Sequence, residues 1–432
     1  MKIQGIIGET VFAFVMKVLA ACSGFLLNIV LARLLGAEGT GVYYLALSCI
    51  SIAIMVSQFG LGQTLLRFIA VSSLQGDWVA IRGIIKISQR LCLSLAFLVS
   101  VSIFFSSSFL SAYFFHNSSL EVLIQWMVFA IVPGALFVLY GYSLQALRKI
   151  NESIFITSVC MPLLSALLMC ILIPEFGIKG SIWSYVIASW ATLFFSFYLW
   201  RKFTPQLLGI EGFFKVSSLL KSNIPLFWVS LSQLTMVWSS SIMLGMWSTE
   251  RDVGLFNIAN KTALLVSFIL SCVNTVIAPK FASIYHEGNF KELQDLVSRA
   301  TALMVVIAAP IAIIMIIFPQ YIMSLFGNQF IEGANILIIL AIGQFVYVVT
   351  GAVGYLLTMS GHERMMKNIM ILCSLLIVSM NYLLIPRFGA QGAAIATSIT
   401  LIFQNVAIAF VIWKIMGIVA IPYANIILSR WR

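Results

Sequence analysis

The stretch VFAFVMKVLAACSGFLLNIVLARLL, residues 11–35, is 25 residues long and carries only two charged side chains, Lys17 and Arg33. About 20 apolar residues in an α-helix are enough to cross the hydrocarbon of a bilayer. The stretch is too long for the apolar core of a signal peptide, and no small-residue cleavage site follows it. It therefore predicts a first transmembrane helix.

The rest of the chain has the same character. Of its 432 residues, 61% are apolar and 9% are charged, against about 45–50% and 25% in soluble domains. The apolar segments do not alternate as the strands of a membrane barrel would, so helices are the spanning elements. We predict an all-α polytopic membrane protein of 12 transmembrane helices, at residues 10–34, 42–66, 88–112, 122–147, 153–174, 181–200, 223–247, 254–278, 299–319, 332–359, 368–385 and 391–414.

Several function classes are excluded by what the sequence lacks. The seven cysteines lie in apolar segments without metal-type spacing, and the three histidines are far apart, so we expect no metal site and no cofactor. No phosphate-binding glycine loop is present, and no carboxylate lies paired with His or Lys as a membrane glycosyltransferase would need. We therefore expect that this chain is not an enzyme. The net charge of +11 includes no basic block, so nucleic acid is not an expected partner.

Lysine and arginine fall mostly on one side of the predicted membrane. With a cytoplasmic N-terminus, 19 of the 25 basic residues are cytoplasmic, and only Lys179, Arg251 and Arg387 lie in outer loops. Both termini are therefore predicted to be cytoplasmic.

The chain also repeats itself. At an offset of 213 residues, Gly41-Val42-Tyr43 aligns with Gly254-Leu255-Phe256. At an offset of 212 residues, the segment 173–177 (IPEFG) aligns with the segment 385–389 (IPRFG). We predict two parallel six-helix bundles, residues 1–200 and 223–432, joined by a cytoplasmic linker, residues 201–222. The alternative is that good turn sequences recur independently. The linker and the loops at 67–90 and 280–299 are predicted to form amphipathic helices on the membrane surface.

Polar residues inside a span are costly and indicate which helices face a wet interior. They form stripes on spans 1, 2, 7 and 8, whereas spans 3, 5, 6, 9 and 11 carry little beyond scattered Ser and Thr. We predict a central cavity between the bundles; the alternative is hydrogen bonding that only joins helices. The predicted substrate-binding residues are Lys17, Asn28, Arg33, Gln58, Gln233, Asn257, Asn260, Lys261 and Asn274, and the predicted gate residues are Arg67 and Lys280. Cations without carboxylates favour an anionic passenger.

Three segments resemble the Wzx-type polysaccharide flippases of the multidrug/oligosaccharidyl-lipid/polysaccharide exporter superfamily. They are ARLLGAEGTGVY (residues 32–43), QFGLGQTLLRFIA (residues 58–70) and LIPRFGAQGA (residues 384–393). The resemblance implies a bacterial inner-membrane flippase that moves undecaprenyl-diphosphate-linked oligosaccharide, an O-antigen (lipopolysaccharide) or exopolysaccharide repeat unit, by alternating access. It also implies that cavity cations hold the diphosphate; Lys17 and Lys261 lie in suitable spans, where some relatives carry arginine.

The expected partners are the lipid-linked oligosaccharide, membrane lipids, a polysaccharide polymerase and a chain-length regulator. The runner-up function is a drug/cation antiporter of the same superfamily. Such antiporters use carboxylates inside the membrane, and here the one acid near a span interior is Glu9.

Overall fold

The structure, a computed structural model, describes residues 2–207, 209–214 and 216–419. Within these ranges the chain is helical and contains no strand. The helices are α1 (Lys2–Gln58), α2 (Leu61–Leu74), α3 (Trp78–Phe109), α4 (Ser119–Met127), α5 (Ile131–Ala146), α6 (Ile150–Ile154), α7 (Met161–Phe176), α8 (Ile178–Phe203), α9 (Val216–Trp247), α10 (Glu250–His286), α11 (Phe290–Ile317), α12 (Pro319–Ser324), α13 (Ala334–Val349), α14 (Val353–Met359) and α15 (Glu363–Met416).

Among the described residues, nine helical stretches are long and apolar enough to cross a membrane. Two of them, Phe14–Leu74 and Glu363–Met416, are 61 and 54 residues long. Each contains a glycine with non-helical backbone angles, Gly36 in α1 and Gly389 in α15. The prediction of an all-helical polytopic membrane protein is confirmed.

Turns that lie 212 or 213 residues apart have the same hydrogen bonds. The α2–α3 turn bonds the Gly76 N–H to Ser73 and the Asp77 N–H to Ser72, and the α10–α11 turn bonds Gly288 to Tyr285 and Asn289 to Ile284. In each turn the glycine has a positive φ, and the Asp77 or Asn289 side chain caps the next helix. Likewise, Lys149 bonds to Leu144 and His362 bonds to Leu357.

The turns at Gly177 and Gly389, which lie in the aligned segments, also share their geometry. Gly177 has φ 57° and ψ −136°, and Gly389 has φ 52° and ψ −132°. Three residues later, a Cβ on Gly180 would collide with the Leu172 carbonyl oxygen, and one on Gly392 would collide with the Leu384 carbonyl oxygen. Both turns therefore need glycine twice, once for a left-handed φ and once for close backbone approach.

The predicted surface helices are wrong. Residues 67–90 and 280–299 are the ends of long helices joined by the tight turns at Gly76 and Gly288. In the predicted linker, α8 continues to Phe203, residues 209–214 form no helix, and α9 begins at Val216. Phe214 packs on the Phe68 ring with centroids 5.5 Å apart, so this segment lies against α2. The hydropathy pattern predicted loops here because these helix ends are polar. Their backbone hydrogen bonds nevertheless continue the helices.

The chain separates into two compact units, Met1–Leu234 and Thr235–Arg432, called here the N-terminal and C-terminal units. In the N-terminal unit, α1 packs on α7 and α3, and α2 packs on α5. In the C-terminal unit, α10 and α15 pack on α13.

The first half of α9 belongs to the N-terminal unit and packs against α2. Thr64 donates a hydrogen bond to Asn223, and the Phe59 and Phe227 rings lie 4.9 Å apart. A Cβ on Gly60 would lie 2.9 Å from the backbone nitrogen of Phe227, so glycine permits this contact. The predicted domain boundary after residue 222 stays a prediction.

Candidate functional site

A cavity of about 200 Å³ lies inside the C-terminal unit. Side chains from α9, α10, α13 and α15 line it, so all of its walls are long helices. The polar residues of the lining are Ser240, Asn257, Asn260, Lys261, Gln344, Thr397 and Thr400. Polar groups inside membrane-spanning helices are costly and mark sites that bind a polar ligand or line a passage.

Lys261 is the one charged side chain among the described residues that line the cavity. Its Nζ lies 5.8 Å from the centroid of the Trp238 ring on α9, a cation–π contact. The lining contains no carboxylate. The cavity therefore carries a net positive charge and favours an anion or an electron-rich group.

Helical periodicity explains why α10 brings three polar groups to this wall. Asn257, Asn260 and Lys261 are spaced at i, i+3 and i+4 and share one face. Asn257 is fixed in place, because its amide donates to the Val253 carbonyl (2.9 Å) and its oxygen accepts from Ser241 (3.1 Å).

A second polar cluster joins α9 to α15 beside the cavity. The fully buried Asn381 donates to Ser240 at 3.0 Å, and Ser240 lies 3.1 Å from the Thr397 hydroxyl. These groups satisfy one another and hold the two helices together. Span 11, described above as poor in polar groups, thus contains the buried Asn381, and that description is wrong.

Two buried oxygens in the lining have no hydrogen-bond partner within the described part of the chain. They are the Gln344 Oε1 on α13 and the Thr400 Oγ1 on α15. The two residues are 5% and 0% exposed. Buried polar atoms are nearly always paired in proteins, so two in one cavity need an explanation.

The N-terminal unit contains a hydrogen bond that corresponds to one in the C-terminal unit. Tyr44 donates to Asn28 across α1, and Asn28 donates to the Gly24 carbonyl. Adding 213 to Asn28 and Tyr44 gives Ser241 and Asn257, which also bond to each other. Asn28, a predicted binding residue, thus has its polar atoms engaged within its own unit.

The remaining predicted residues have varied environments. Lys17 and Gln58 are half-buried, whereas the Arg33, Gln233, Arg67 and Lys280 side chains are exposed. Asn274 is buried, and neither atom of its amide has a partner in the described chain. The structure brings together Asn257, Asn260 and Lys261 around one cavity, and Gln233 and Asn274 do not line it. The site assignment of all nine residues stays a prediction.

Sequence reasoning missed Trp238, Gln344, Thr397 and Thr400. Gln344 interrupts the very apolar helix α13, and an amide inside such a run was a usable signal. Trp238 and the threonines gave no signal, because their role depends on which helices pack together. Glu9's side chain, Lys215 and the basic residues at 430 and 432 lie outside the described residues.

The described residues form a polytopic helical membrane protein with a cavity whose described lining carries one cation and no carboxylate. The family model for "Polysaccharide biosynthesis protein" matches residues 7–285, and the MatE family model matches residues 225–383. The chain belongs to the polysaccharide biosynthesis protein family, within the MOP superfamily of exporters.

Two relatives are similar in sequence. "Uncharacterized membrane protein MJ1068" of Methanocaldococcus jannaschii is 22% identical over 88% of this chain and 78% of its own length. "Probable low-salt glycan biosynthesis flippase Agl15" of Haloferax volcanii is 24% identical over 39% of this chain and 36% of its own.

Solved structures share the fold. A multidrug resistance MATE family transporter in an inward-facing conformation has a TM-score of 0.78 at 14% identity, over 94% of this chain and 98% of its own. The lipid II flippase MurJ has a TM-score of 0.75 at 13% identity, over 94% of this chain and 87% of its own. A MOP superfamily transporter from Pyrococcus furiosus, described as having a binding pocket of reversed polarity, has a TM-score of 0.70 at 16% identity, over 95% of each chain.

Proposed function

We propose that this chain is a flippase for undecaprenyl-diphosphate-linked oligosaccharide, an O-antigen or exopolysaccharide repeat unit. It moves this lipid from the cytoplasmic to the outer leaflet of the bacterial inner membrane by alternating access. The family itself and the flippases among the similar proteins support this proposal. The observation that carries it is Lys261, a cation in a cavity whose described lining has no carboxylate.

The energetics of Lys261 favour a functional role. A lysine within a membrane helix costs about 2.5–3.5 kcal/mol on the insertion scale. A fixed cation at 4 Å attracts one phosphate charge by about 4 kcal/mol at an effective dielectric constant of 20. The diphosphate carries at least two negative charges that a bare bilayer excludes, so Lys261 lowers the barrier to its passage.

Twelve crossings in two repeats of six, residues 1–200 and 223–432, form the proposed framework. Gly36 and Gly389 divide two long helical stretches, and α9 adds a 32-residue helix. The shared turn geometries and the two corresponding hydrogen bonds support duplication. Both termini are proposed to be cytoplasmic, and Arg67 and Lys280 are the proposed gate residues for alternating access.

The second candidate is a drug/cation antiporter, which the MatE match and the MATE fold favour. Its expected carboxylate is missing from the cavity lining described above. An antiporter of cationic drugs gains nothing from Lys261, because like charges repel.

Complementation tests the proposal. In a strain lacking its flippase, the wild-type chain restores surface polysaccharide. We expect Lys261→Ala to reach normal abundance and lose most export, and Lys261→Arg to keep part of it. Membrane abundance and surface polysaccharide are measured together.

The competing structural role predicts a different pair of results. If Lys261 only holds helices together, Lys261→Ala lowers abundance and export in proportion. If Lys261→Ala is abundant and exports normally, the cationic cavity does not bind the passenger and the proposal loses its main support.

A further inference from the structure

The cavity of the C-terminal unit has a cationic, half-buried side and a buried, uncharged side. Asn260 and Lys261 are half-buried, and Leu264 beside them is exposed. Ser240, Gln344 and Thr400 are buried and form the deeper wall. A ligand here meets a positive charge at one end and amide and hydroxyl groups at the other.

The deeper wall needs a hydrogen-bond donor. The amide oxygen of Gln344 only accepts, and it has no partner within the described chain. A phosphate group offers acceptors alone and would place negative charge against this oxygen. A sugar hydroxyl donates and accepts at once, so it can satisfy both Gln344 and the Thr400 hydroxyl.

The size of the cavity limits what it can hold. A volume of about 200 Å³ is below the roughly 300–1,000 Å³ of pockets that enclose drug-sized ligands, so the cavity fits one sugar ring and does not enclose a whole oligosaccharide. The Trp238 and Phe256 rings also line the cavity. Aromatic faces pack on the apolar face of a sugar ring, while polar groups fix its orientation.

We infer that this cavity is the binding site for the sugar bonded directly to the lipid diphosphate. The inference rests on the proposed flippase function and assigns one part of the substrate to one cavity. The diphosphate lies toward Lys261, and the first sugar lies against Gln344 and Thr400. The order of groups in the cavity, cation and then hydrogen-bonding wall, matches the order of groups in the lipid.

Binding to purified full-length protein tests this assignment. The probes are undecaprenyl diphosphate and the same lipid carrying one sugar, in a panel of glucose, galactose, N-acetylglucosamine and N-acetylgalactosamine. We expect the wild type to bind at least one sugar-bearing probe about tenfold more tightly than the sugar-free probe, because several net hydrogen bonds are added. In Gln344→Met and Thr400→Val this ratio falls toward one.

Thr262→Val is the matched control. Its buried hydroxyl bonds to the Ile258 carbonyl within α10 and does not line the cavity, so its affinity ratio stays at the wild-type value. Thermal unfolding supplies a second readout. Removing an unpaired buried oxygen does not destabilise a protein, so we expect Gln344→Met and Thr400→Val to melt at or above the wild-type temperature.

The outcomes separate the two proposals. If the wild type binds no diphosphate lipid, the flippase proposal fails. If it binds all probes with equal affinity, or if Gln344→Met and Thr400→Val keep the wild-type ratio, the sugar site is wrong while the flippase proposal stands. If these variants melt lower and keep the ratio, the two oxygens serve packing through water and not ligand binding.

Discussion

Adjacent tyrosines in α1 show how differently two buried hydroxyls can be used. The Tyr44 hydroxyl donates to Asn28, whereas the Tyr43 hydroxyl has no partner in the described chain. Both side chains are almost fully buried. The difference lies in hydrogen bonding, because burial and chemistry are the same.

This pair gives a controlled prediction. Tyr44→Phe leaves the Asn28 oxygen buried without its donor, which costs about 1–3 kcal/mol, so we expect a lower melting temperature in detergent. Tyr43→Phe removes an unpaired hydroxyl and should melt at or above the wild-type temperature. Equal melting of the two variants would show that the Tyr44–Asn28 bond contributes nothing.

Residue patterns predicted part of the cavity lining. The spacing of Asn257, Asn260 and Lys261 placed them on one face of a helix, and the structure places all three in one cavity wall. The opposite wall came from α13 and α15, whose contacts with α10 are set by packing between distant segments. The periodicity of one helix does not indicate which other helix packs against it. Gln344 and Thr400 were therefore not predicted.

At the scale of the element, the glycine turns between α7 and α8 and within α15 leave no room for a side chain at Gly180 or Gly392. A methyl group on Gly180 or Gly392 would enter the backbone of the preceding helix. The sequence predicted the likeness of these turns from residues 173–177 and 385–389, because glycine and proline fix backbone geometry locally. It did not predict that helices extend to both sides of the turns at Gly76 and Gly288, because polar helix ends resemble loops in hydropathy.

Alanine substitution tests the turn geometry. We expect Gly180→Ala and Gly392→Ala each to destabilise the protein by about 1–3 kcal/mol, since the backbone must shift to admit the methyl group. The control is Gly354→Ala, where the nearest atom to an added Cβ is the Met366 Cε at 3.8 Å. Protein abundance and melting temperature measure the effect. A control as unstable as the two turn variants would contradict the close-approach account.

At the scale of the whole molecule, helix α8 allows the proposed orientation to be tested. Its 26 residues (Ile178–Phe203) have a length of ~39 Å, enough to cross the bilayer. Lys179 lies near one end and Lys202 near the other. With the proposed topology, Lys179 is outside and Lys202 is cytoplasmic.

Cysteine labelling in whole cells checks this orientation. Lys179→Cys and Lys202→Cys are made in a background where the exposed Cys22 and Cys170 are replaced by alanine. A membrane-impermeant reagent should label the first variant in intact cells and the second only after lysis. The reverse pattern would invert the topology and with it the direction of transport.

The central claim is that this chain moves an anionic, sugar-bearing lipid, and reconstitution tests it most directly. Purified protein is placed in vesicles that contain the host's own undecaprenyl-diphosphate-linked oligosaccharide, and a glycan-oxidising reagent is added outside. We predict that the inner-leaflet oligosaccharide becomes accessible much faster than in protein-free vesicles, and that Lys261→Ala removes most of this acceleration. Accessibility no faster than in protein-free vesicles, together with export of a cationic dye by the same vesicles, would contradict the flippase and establish the antiporter.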